Sequence, residues 1–364
     1  MDTDRGQGEA VTESAVIVLE ELPPPPSDPE YAELGGVPMA AKYGLKQSGK
    51  RPPLFGYLAS LWQRRHFITG YATAKNRSLY SNARLGQLWQ LLTPILNVAV
   101  YYFVFGILFT QTRGVHDFLL FLVIGVFLFN FLSTSMINGS RSISDQLVLI
   151  RALHFPRACL PISTTVIQLQ QLGFSMLIVV GVALYGSQPI TLKWLLVIPA
   201  LILLSIFSNG LGMIVARTGS VLTDTAQLLP FLTRTWMYLC GVMYSLASVA
   251  NRPDIPHWVQ NVLYYDPPAL FITVVRNLMM SPLPMPTNLG GAPNFSTAYA
   301  QCQLSPLPSN MTKAICDPIT NYQSNALAMH QPAHAWIFLA FWAVAFGIGG
   351  IVYFWKAEEQ YGRG

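Results

Sequence analysis

FLLFLVIGVFLFNFLSTSMINGS, residues 118–140, runs 23 positions between Asp117 and Arg141 without a charged side chain. A bilayer core about 30 Å thick takes roughly 20 apolar helical residues, so this run reads as one membrane crossing. Working outward, Arg84 to Arg113 leaves 28 uncharged residues, Arg157 to Lys193 leaves 35, and Lys193 to Arg217 leaves 23. Arg234 to Arg252 leaves only 17, but the apolar run begins earlier, near Gln227. A last run, Ala335 to Trp355, ends at Lys356. The pattern predicts six spans, roughly 88–110, 117–138, 161–185, 193–216, 227–248 and 335–355. The uncharged interval 277–312 is different. It holds Pro282, Pro284, Pro286, Pro293, Pro306 and Pro308, and lipid cannot replace the helix hydrogen bonds that proline removes. It reads as part of an external loop.

Composition agrees. Of 364 residues, 52% are hydrophobic and 11% charged, with mean hydropathy +0.39. A soluble domain carries about 25% charged residues, so a soluble enzyme and a disordered chain are both excluded. Four cysteines are too few for a disulfide scaffold. The fold class is an all-α integral membrane protein. Six spans put both termini on one side, and the positive-inside rule makes that side cytoplasmic. In that orientation 16 of the 22 Lys and Arg lie inside, while Arg113, Lys193, Arg252, Arg276 and Lys313 lie outside.

Residues 1–53 hold nine acids against five bases and a proline run at Pro23–Pro26. A disordered cytoplasmic tail is expected. No cleavable signal peptide is expected at its start. Over 54–80, Leu54, Leu58, Leu61, Ile68 and Ala72 recur at helical spacing with polar residues between them. This predicts an amphipathic helix lying in the membrane interface, and the transmembrane domain proper is 81–364. The loop after the second span reads NGSRSISDQLVLIRALHFPRACLP, residues 138–161. Ser142 or Ser144 can cap a short helix through Asp145 to Ile150. That helix is either a docking surface for another protein or part of an ordinary basic loop. Beyond the fifth span, Asp266-Pro267-Pro268 precedes the apolar run Ala269 to Met280. Prolines suit a first helical turn. At 12 residues the run is too short to span, so it is either re-entrant or packed on the outer face. In the external insertion 282–334, Cys302 and Cys316 form a disulfide if this side is oxidising, or stay as two free thiols. Cys159 and Cys240 read as packing residues.

The sequence argues against chemistry in this chain. Gly44 to Arg51 matches G-x-x-x-x-G-K, but Arg51 stands where the Mg²⁺-binding hydroxyl belongs, and Pro52 and Pro53 follow where a helix must start. Only His330 and His334 share helical spacing among six histidines, with Pro332 between them and no carboxylate nearby, so no metal site is expected. No acid stands inside the predicted spans, Asp117 falling at an end, which speaks against a proton-coupled carrier. Arg234 either faces an interior cavity or snorkels to the interface. Tyr101, Tyr102, Phe105, Trp236, Tyr238 and Tyr244 are candidates to stack on sugar rings along a conduit, or else serve as packing and interface anchors.

The segment Ser81-Asn82-Ala83-Arg84-Leu85-Gly86-Gln87-Leu88-Trp89-Gln90-Leu91-Leu92-Thr93-Pro94, behind an amphipathic helix, resembles the opening of ABC-2 type export permeases. Leu149-Ile150-Arg151, Phe155-Pro156-Arg157 and Leu160-Pro161 are similar to the family's coupling segment. Gln227-Leu228-Leu229-Pro230-Phe231 and Asp266-Pro267-Pro268-Ala269 are similar to two later motifs, with Asp266 where Asn is usual. The resemblance covers about 57–281 and 335–356 and is closest to the polysaccharide-exporter branch, which includes O-antigen, teichoic acid and galactan exporters. It implies a permease in the bacterial cytoplasmic membrane that pairs with a second copy of itself and with two ATP-binding cassette subunits. ATP and Mg²⁺ would bind in those subunits, with no cofactor in this chain. The cargo implied is a glycan linked to a polyprenyl diphosphate; membrane lipids are the other contact, and no nucleic acid is expected. The resemblance makes Ser142, Ile143, Ser144, Asp145, Gln146, Leu147, Leu149 and Arg151 the ATPase-coupling helix. It makes Arg64 and Arg65 candidates for the lipid diphosphate, with bulk anionic lipid as the other reading. Export of a drug or small lipid, and a membrane-embedded glycan-modifying enzyme, are the alternatives.

Overall fold

The computed structural model describes residues 53–81, 83–108, 117–153, 155–222, 224–244, 256–281, 287–289, 291–304, 307–308, 312–328, 334–358 and 361. The predicted tail, the 44–51 motif and His330 lie outside them. Every described element is helical. Among the described residues five helices have the length and apolarity to cross a membrane. The predicted amphipathic helix is two helices, α1 (Leu54–Gln63) and α2 (Arg65–Ser78), broken at Arg64. The first span is a single turn at Gly86–Leu88, then α3 (Trp89–Tyr101), which continues in a wider π-type winding over Tyr102–Leu108. Positions 109–110 of that prediction are outside the described residues. The second span is α4 (Phe118–Arg141). The short helix predicted through Asp145 to Ile150 is a turn at Ser144–Gln146 and then α5 (Leu147–Ala152), shifted two residues toward the C-terminus. The third span is α6 (Cys159–Tyr185), and the fourth is a turn at Leu192–Leu196 running into α7 (Val197–Val221).

The fifth predicted span departs most from its outline. Its helix α8 covers Thr225–Leu239 and stops, with Gly241 in the left-handed region at φ 69°. Fifteen residues reach only about 22 Å. Positions 245–248 of the prediction lie outside the described residues. Next come α9 (His257–Tyr265) and α10 (Pro267–Met279). The insertion expected to be loop contains α11 (Phe295–Cys302) and α12 (Lys313–Ala328), with Cys302 bonded to Cys316 across a Cα–Cα distance of 5.4 Å. A small core of Ala298, Cys316 and Ile319 sits beside that bond. The last span is α13 (Ala335–Lys356).

α4 is the axis of the bundle. Its residues from Leu120 to Phe129 are buried without a break, because α3, α6, α7, α8 and α10 all pack on it. Such an all-round apolar helix is what a central position demands. The tightest seam joins α7 to α13. A Cβ on Gly210 would collide with the Phe346 carbonyl, and one on Gly350 with the backbone of Gly210. Small residues of this kind let two membrane helices approach backbone to backbone. A second core gathers Tyr57, Leu61 and Ile68 of α1 and α2 with Ile143, Ile150 and Phe354. It therefore collects the amphipathic helices, α5 and the end of α13 at one end of the bundle. Phe55 and Trp62, on the other side of α1, are 85% and 71% exposed. One face of α1 is thus committed to protein, and its opposite face is left apolar, as an interfacial helix requires.

Candidate functional site: a polar cleft within the apolar bundle

α3 and α8 each carry a proline in mid-helix, Pro94 and Pro230. Proline withholds a donor and bends the helix. Both line a cleft of about 220 Å³ bounded by α3, α4 and α8. Its polar walls are Asn97, Tyr101, Asn130, Ser133, Thr233 and Arg234. A smaller pocket of about 70 Å³ shares Pro94, Asn97, Phe127 and Asn130 with it and adds Thr93, Thr134, Gln168, Gln171 and Ser175. Amides and hydroxyls each offer both donors and acceptors. In a low-dielectric bundle their bonds are stronger than in water. The lining is therefore chemically matched to an uncharged, hydroxyl-rich ligand, and Arg234 adds a cation.

The structure brings two of the predicted conduit residues, Tyr101 and Arg234, into this cleft. Arg234, the tenth residue of α8, is exposed and lines this cleft. The others have separate surroundings. Phe105 is half-buried and packs against the main core, while Tyr102 is exposed on the π-wound segment. Tyr238 is exposed on α8. Tyr244 donates its hydroxyl to the carbonyls of Tyr238 (2.9 Å) and Leu239 (3.3 Å), closing the end of α8. Trp236 donates Nε1 to Asp266 Oδ1 at 2.8 Å. The amides and hydroxyls of the cleft were missed in the sequence, although Asn97, Asn130, Gln168 and Gln171 stand inside predicted spans, where uncharged polar groups are themselves a signal.

Asp266 caps α10, its Oδ2 accepting the Ala269 N–H at 3.3 Å. Burial pushes its carboxyl up to about 6, against the lowering effect of the Trp236 and Ala269 hydrogen bonds. The folded protein therefore holds this proton more tightly than the unfolded chain. The associated stability is complete below about 3.9 and is lost as pH rises through about 6. Asn caps a helix as well and has no charge to bury. We expect Asp266→Asn to raise the apparent Tm at pH 7.5 by a few degrees and to flatten its pH dependence between about 4 and 6. A lower Tm at pH 7.5 would refute this account.

At the end of the bundle that carries α1, α2 and α5, the predicted coupling residues divide. Ser142, Ile143 and Ile150 are buried, and Gln146, Leu147 and Leu149 are half-buried. Ser144, Asp145 and Arg151 are exposed, and Val148, between them, is 84% exposed. Arg64 and Arg65 stand exposed at the break between α1 and α2, with the Arg65 guanidinium 5.4 Å above the Trp62 ring. Among the described residues no group of three or more His, Cys, Asp or Glu is placed to hold a metal ion.

A bundle of apolar helices enclosing a polar cleft, with a short, partly exposed helix at one end, defines a multi-pass membrane protein. The family profile described as ABC-2 type transporter matches residues 71–280, and the chain belongs to that family. It is 28% identical over 196 residues, 53% of this chain and 73% of the relative, to the O-antigen export system permease protein RfbA of Myxococcus xanthus. It is 26% identical over 204 residues, 56% of this chain and 75% of the relative, to the protein of the same name in Klebsiella pneumoniae.

Proposed function

We propose that this chain is the membrane-spanning subunit of an ATP-driven exporter that moves a polyprenyl-diphosphate-linked polysaccharide out of the bacterial cytoplasm across the inner membrane. The observation that carries this reading is the cleft lined by Asn97, Asn130, Ser133 and Thr233 inside an otherwise apolar bundle, in a chain related to O-antigen export permeases. A drug or small-lipid exporter would want an apolar lining instead. A glycan-modifying enzyme would need convergent acids, whereas Asp145, Asp224 and Asp266 belong to three separate elements and Asp266 is engaged as a helix cap.

In this reading both termini are cytoplasmic, and α8 with residues 240–244 makes the remaining crossing. The cleft lies open beside α3 and α8. These helices and the π-wound continuation of α3 expose Leu96, Val100, Phe103, Phe231 and Leu232, an apolar margin for a second copy to complete the conduit. Energy arrives from two ATP-binding cassette subunits, which hold ATP and Mg²⁺ and grip the face of Ser144, Asp145, Val148 and Arg151. Arg64 and Arg65 meet the lipid diphosphate at the membrane interface through charge-assisted hydrogen bonds.

Pull-down of the tagged chain from its native membranes tests the coupling. An ATP-binding cassette subunit is expected to accompany the wild type. Val148→Glu places a charge at the centre of the docking face, where truncating or charging a contact costs about 2 kcal/mol or more. Recovery of the subunit is expected to fall at least about tenfold, with the yield of the permease itself unchanged. Wild-type chain that arrives without any nucleotide-binding subunit sinks the reading.

A further inference from the structure

Beside the interfacial helix lies a cleft of about 860 Å³ between α2, the start of the first span and α6. Its floor is a chain of hydrogen-bonded side chains. Gln170 Nε2 donates to Thr73 Oγ1 at 2.9 Å, and Asn76 Nδ2 donates to Gln170 Oε1 at 3.1 Å. Asn76 Oδ1 accepts from Gln171 at 3.3 Å and from Gln90 at 3.5 Å. Gln90 Nε2 also donates to Gln87 Oε1, and Gln87 Nε2 donates to the Arg77 carbonyl at 3.1 Å. Three elements are thus tied together by amides at a level where helices usually meet through aliphatic side chains.

One atom of this chain is left over. Gln90 is 5% exposed, yet its Oε1 has no partner among the described residues. Native proteins satisfy nearly all such atoms, so an unmet buried acceptor asks for an explanation. Its position supplies one, because Gln90 lines both the large cleft and the small pocket that leads to the cleft of Arg234. Pro94 compounds the effect, since it has no N–H to give the Gln90 carbonyl one turn earlier. The same cleft is apolar on its α6 wall, where Phe174 and Leu177 are 41% and 67% exposed, and Arg77 stands at its rim. Hydroxyl-seeking floor, apolar wall and basic rim together fit an amphiphile with a sugar head, an anionic link and a hydrocarbon tail.

We propose that this cleft is where a lipid-anchored sugar is read before transport, with Gln90 Oε1 accepting a hydrogen bond from a sugar hydroxyl. The inference rests on the exporter reading and adds to it the residue that recognises the head group. The Asn76–Gln90–Gln171 cluster holds that acceptor in place, and the cleft passes the sugar toward Asn97 and Asn130.

The test uses the full chain in nanodiscs and three probes: a short isoprenyl diphosphate carrying one N-acetylhexosamine, the same isoprenyl diphosphate without sugar, and free methyl N-acetylhexosaminide. Wild type is expected to bind the sugar-bearing lipid at least about tenfold more tightly than the bare lipid, and the free sugar more weakly than either. Gln90→Met keeps the length of the side chain and removes the acceptor. It is expected to erase that preference while binding the bare lipid as before. Gly173→Leu guards against a folding artefact. Gly173 lines the cleft, and a Cβ there meets nothing within 4 Å, so the leucine fills the cleft without disturbing the bundle. Its binding of the sugar-bearing lipid is expected to drop at least about tenfold with an unchanged elution profile. A wild-type preference that survives both substitutions overturns this inference and leaves the exporter reading standing. A wild type with no preference for the sugar-bearing lipid overturns both.

Discussion

Replacing Arg276 with Met is expected to prevent the protein from accumulating as a monodisperse species. Arg276 is 4% exposed, on the inner face of α10. Its Nε donates to the Phe121 carbonyl at 3.0 Å, Nη1 to Gly241 at 3.0 Å and Nη2 to Val242 at 2.6 Å. The guanidinium carbon also lies 3.3 Å above the Phe121 ring. The cation stands against backbone carbonyls just beyond the end of α8, where the helix dipole is negative, and over the negative face of an aromatic ring. Removing it orphans the Gly241 and Val242 carbonyls in a buried region where lipid offers no substitute donor, while the Phe121 carbonyl keeps its intrahelical partner in α4. At about 1–3 kcal/mol each, the loss is a large share of the total stability of an ordinary domain, about 5–15 kcal/mol. Arg276→Lys keeps the charge but cannot span three acceptors with a planar fork, so an intermediate loss is expected. Fluorescence-detected size exclusion and the apparent Tm measure both. A Met variant that elutes as a sharp peak with a Tm within about 2 °C of the wild type shows that the guanidinium is dispensable.

Arg276 also explains why the fifth span was the least legible. Hydropathy sees a helix wherever an apolar run is long enough, and the run from Gln227 to Ser248 is long enough. What stops α8 near Leu239 is the capture of the Gly241 and Val242 carbonyls by a side chain 34 positions further along. The outlines that matched to within a few residues, those of the first span, α4, α6, α7 and α13, depend on charge-free length alone, which is local. The break between α1 and α2 is of the non-local kind. Tyr57, Leu61 and Ile68 all have to reach one core, and a bend at Arg64 aims them there. The cleft was half legible. The sequence points to aromatic residues for stacking; Tyr101 stands in the wall, whereas Trp236 and Tyr244 are taken up by hydrogen bonds that fix α8 and α10. The amides that line the cavities carried a weaker signal, because single Asn and Gln residues barely lower the hydropathy of a span. Their convergence from α2, α3, α4 and α6 is a property of packing, not of any one segment.

Glu358 shows the same kind of convergence, and its removal carries the second large effect. It follows α13 and is 8% exposed. Its Oε2 accepts the Tyr57 hydroxyl at 2.8 Å, and its Oε1 accepts the Arg157 N–H at 2.9 Å. Tyr57 accepts in turn from the Ala158 N–H at 3.1 Å, and the Arg157 guanidinium donates to the Glu358 carbonyl. One carboxyl therefore joins the interfacial helix, the chain leaving α5 and the end of the last span. Glu358→Ala strands two buried donors and opens a void beside Phe354 and Tyr361. A loss of about 2–4 kcal/mol is expected, seen as a drop of roughly 5 °C or more in apparent Tm. Burial raises the Glu358 carboxyl above its ordinary range, more than the Arg157 N–H, the Tyr57 hydroxyl and the Arg157 charge lower it. Its contribution is thus greatest below the unfolded value of about 4.3 and declines as pH rises through the folded one. Glu358→Gln has no proton to lose and keeps an acceptor for the Arg157 N–H, but its Nε2 can only donate to the Tyr57 oxygen, so the Tyr57 proton loses its acceptor. At neutral pH it is expected to lose less stability than the alanine variant. If Gln destabilises as much as Ala at pH 7.5, the ionised carboxylate itself holds this junction together, and the hydrogen-bond account of it is wrong.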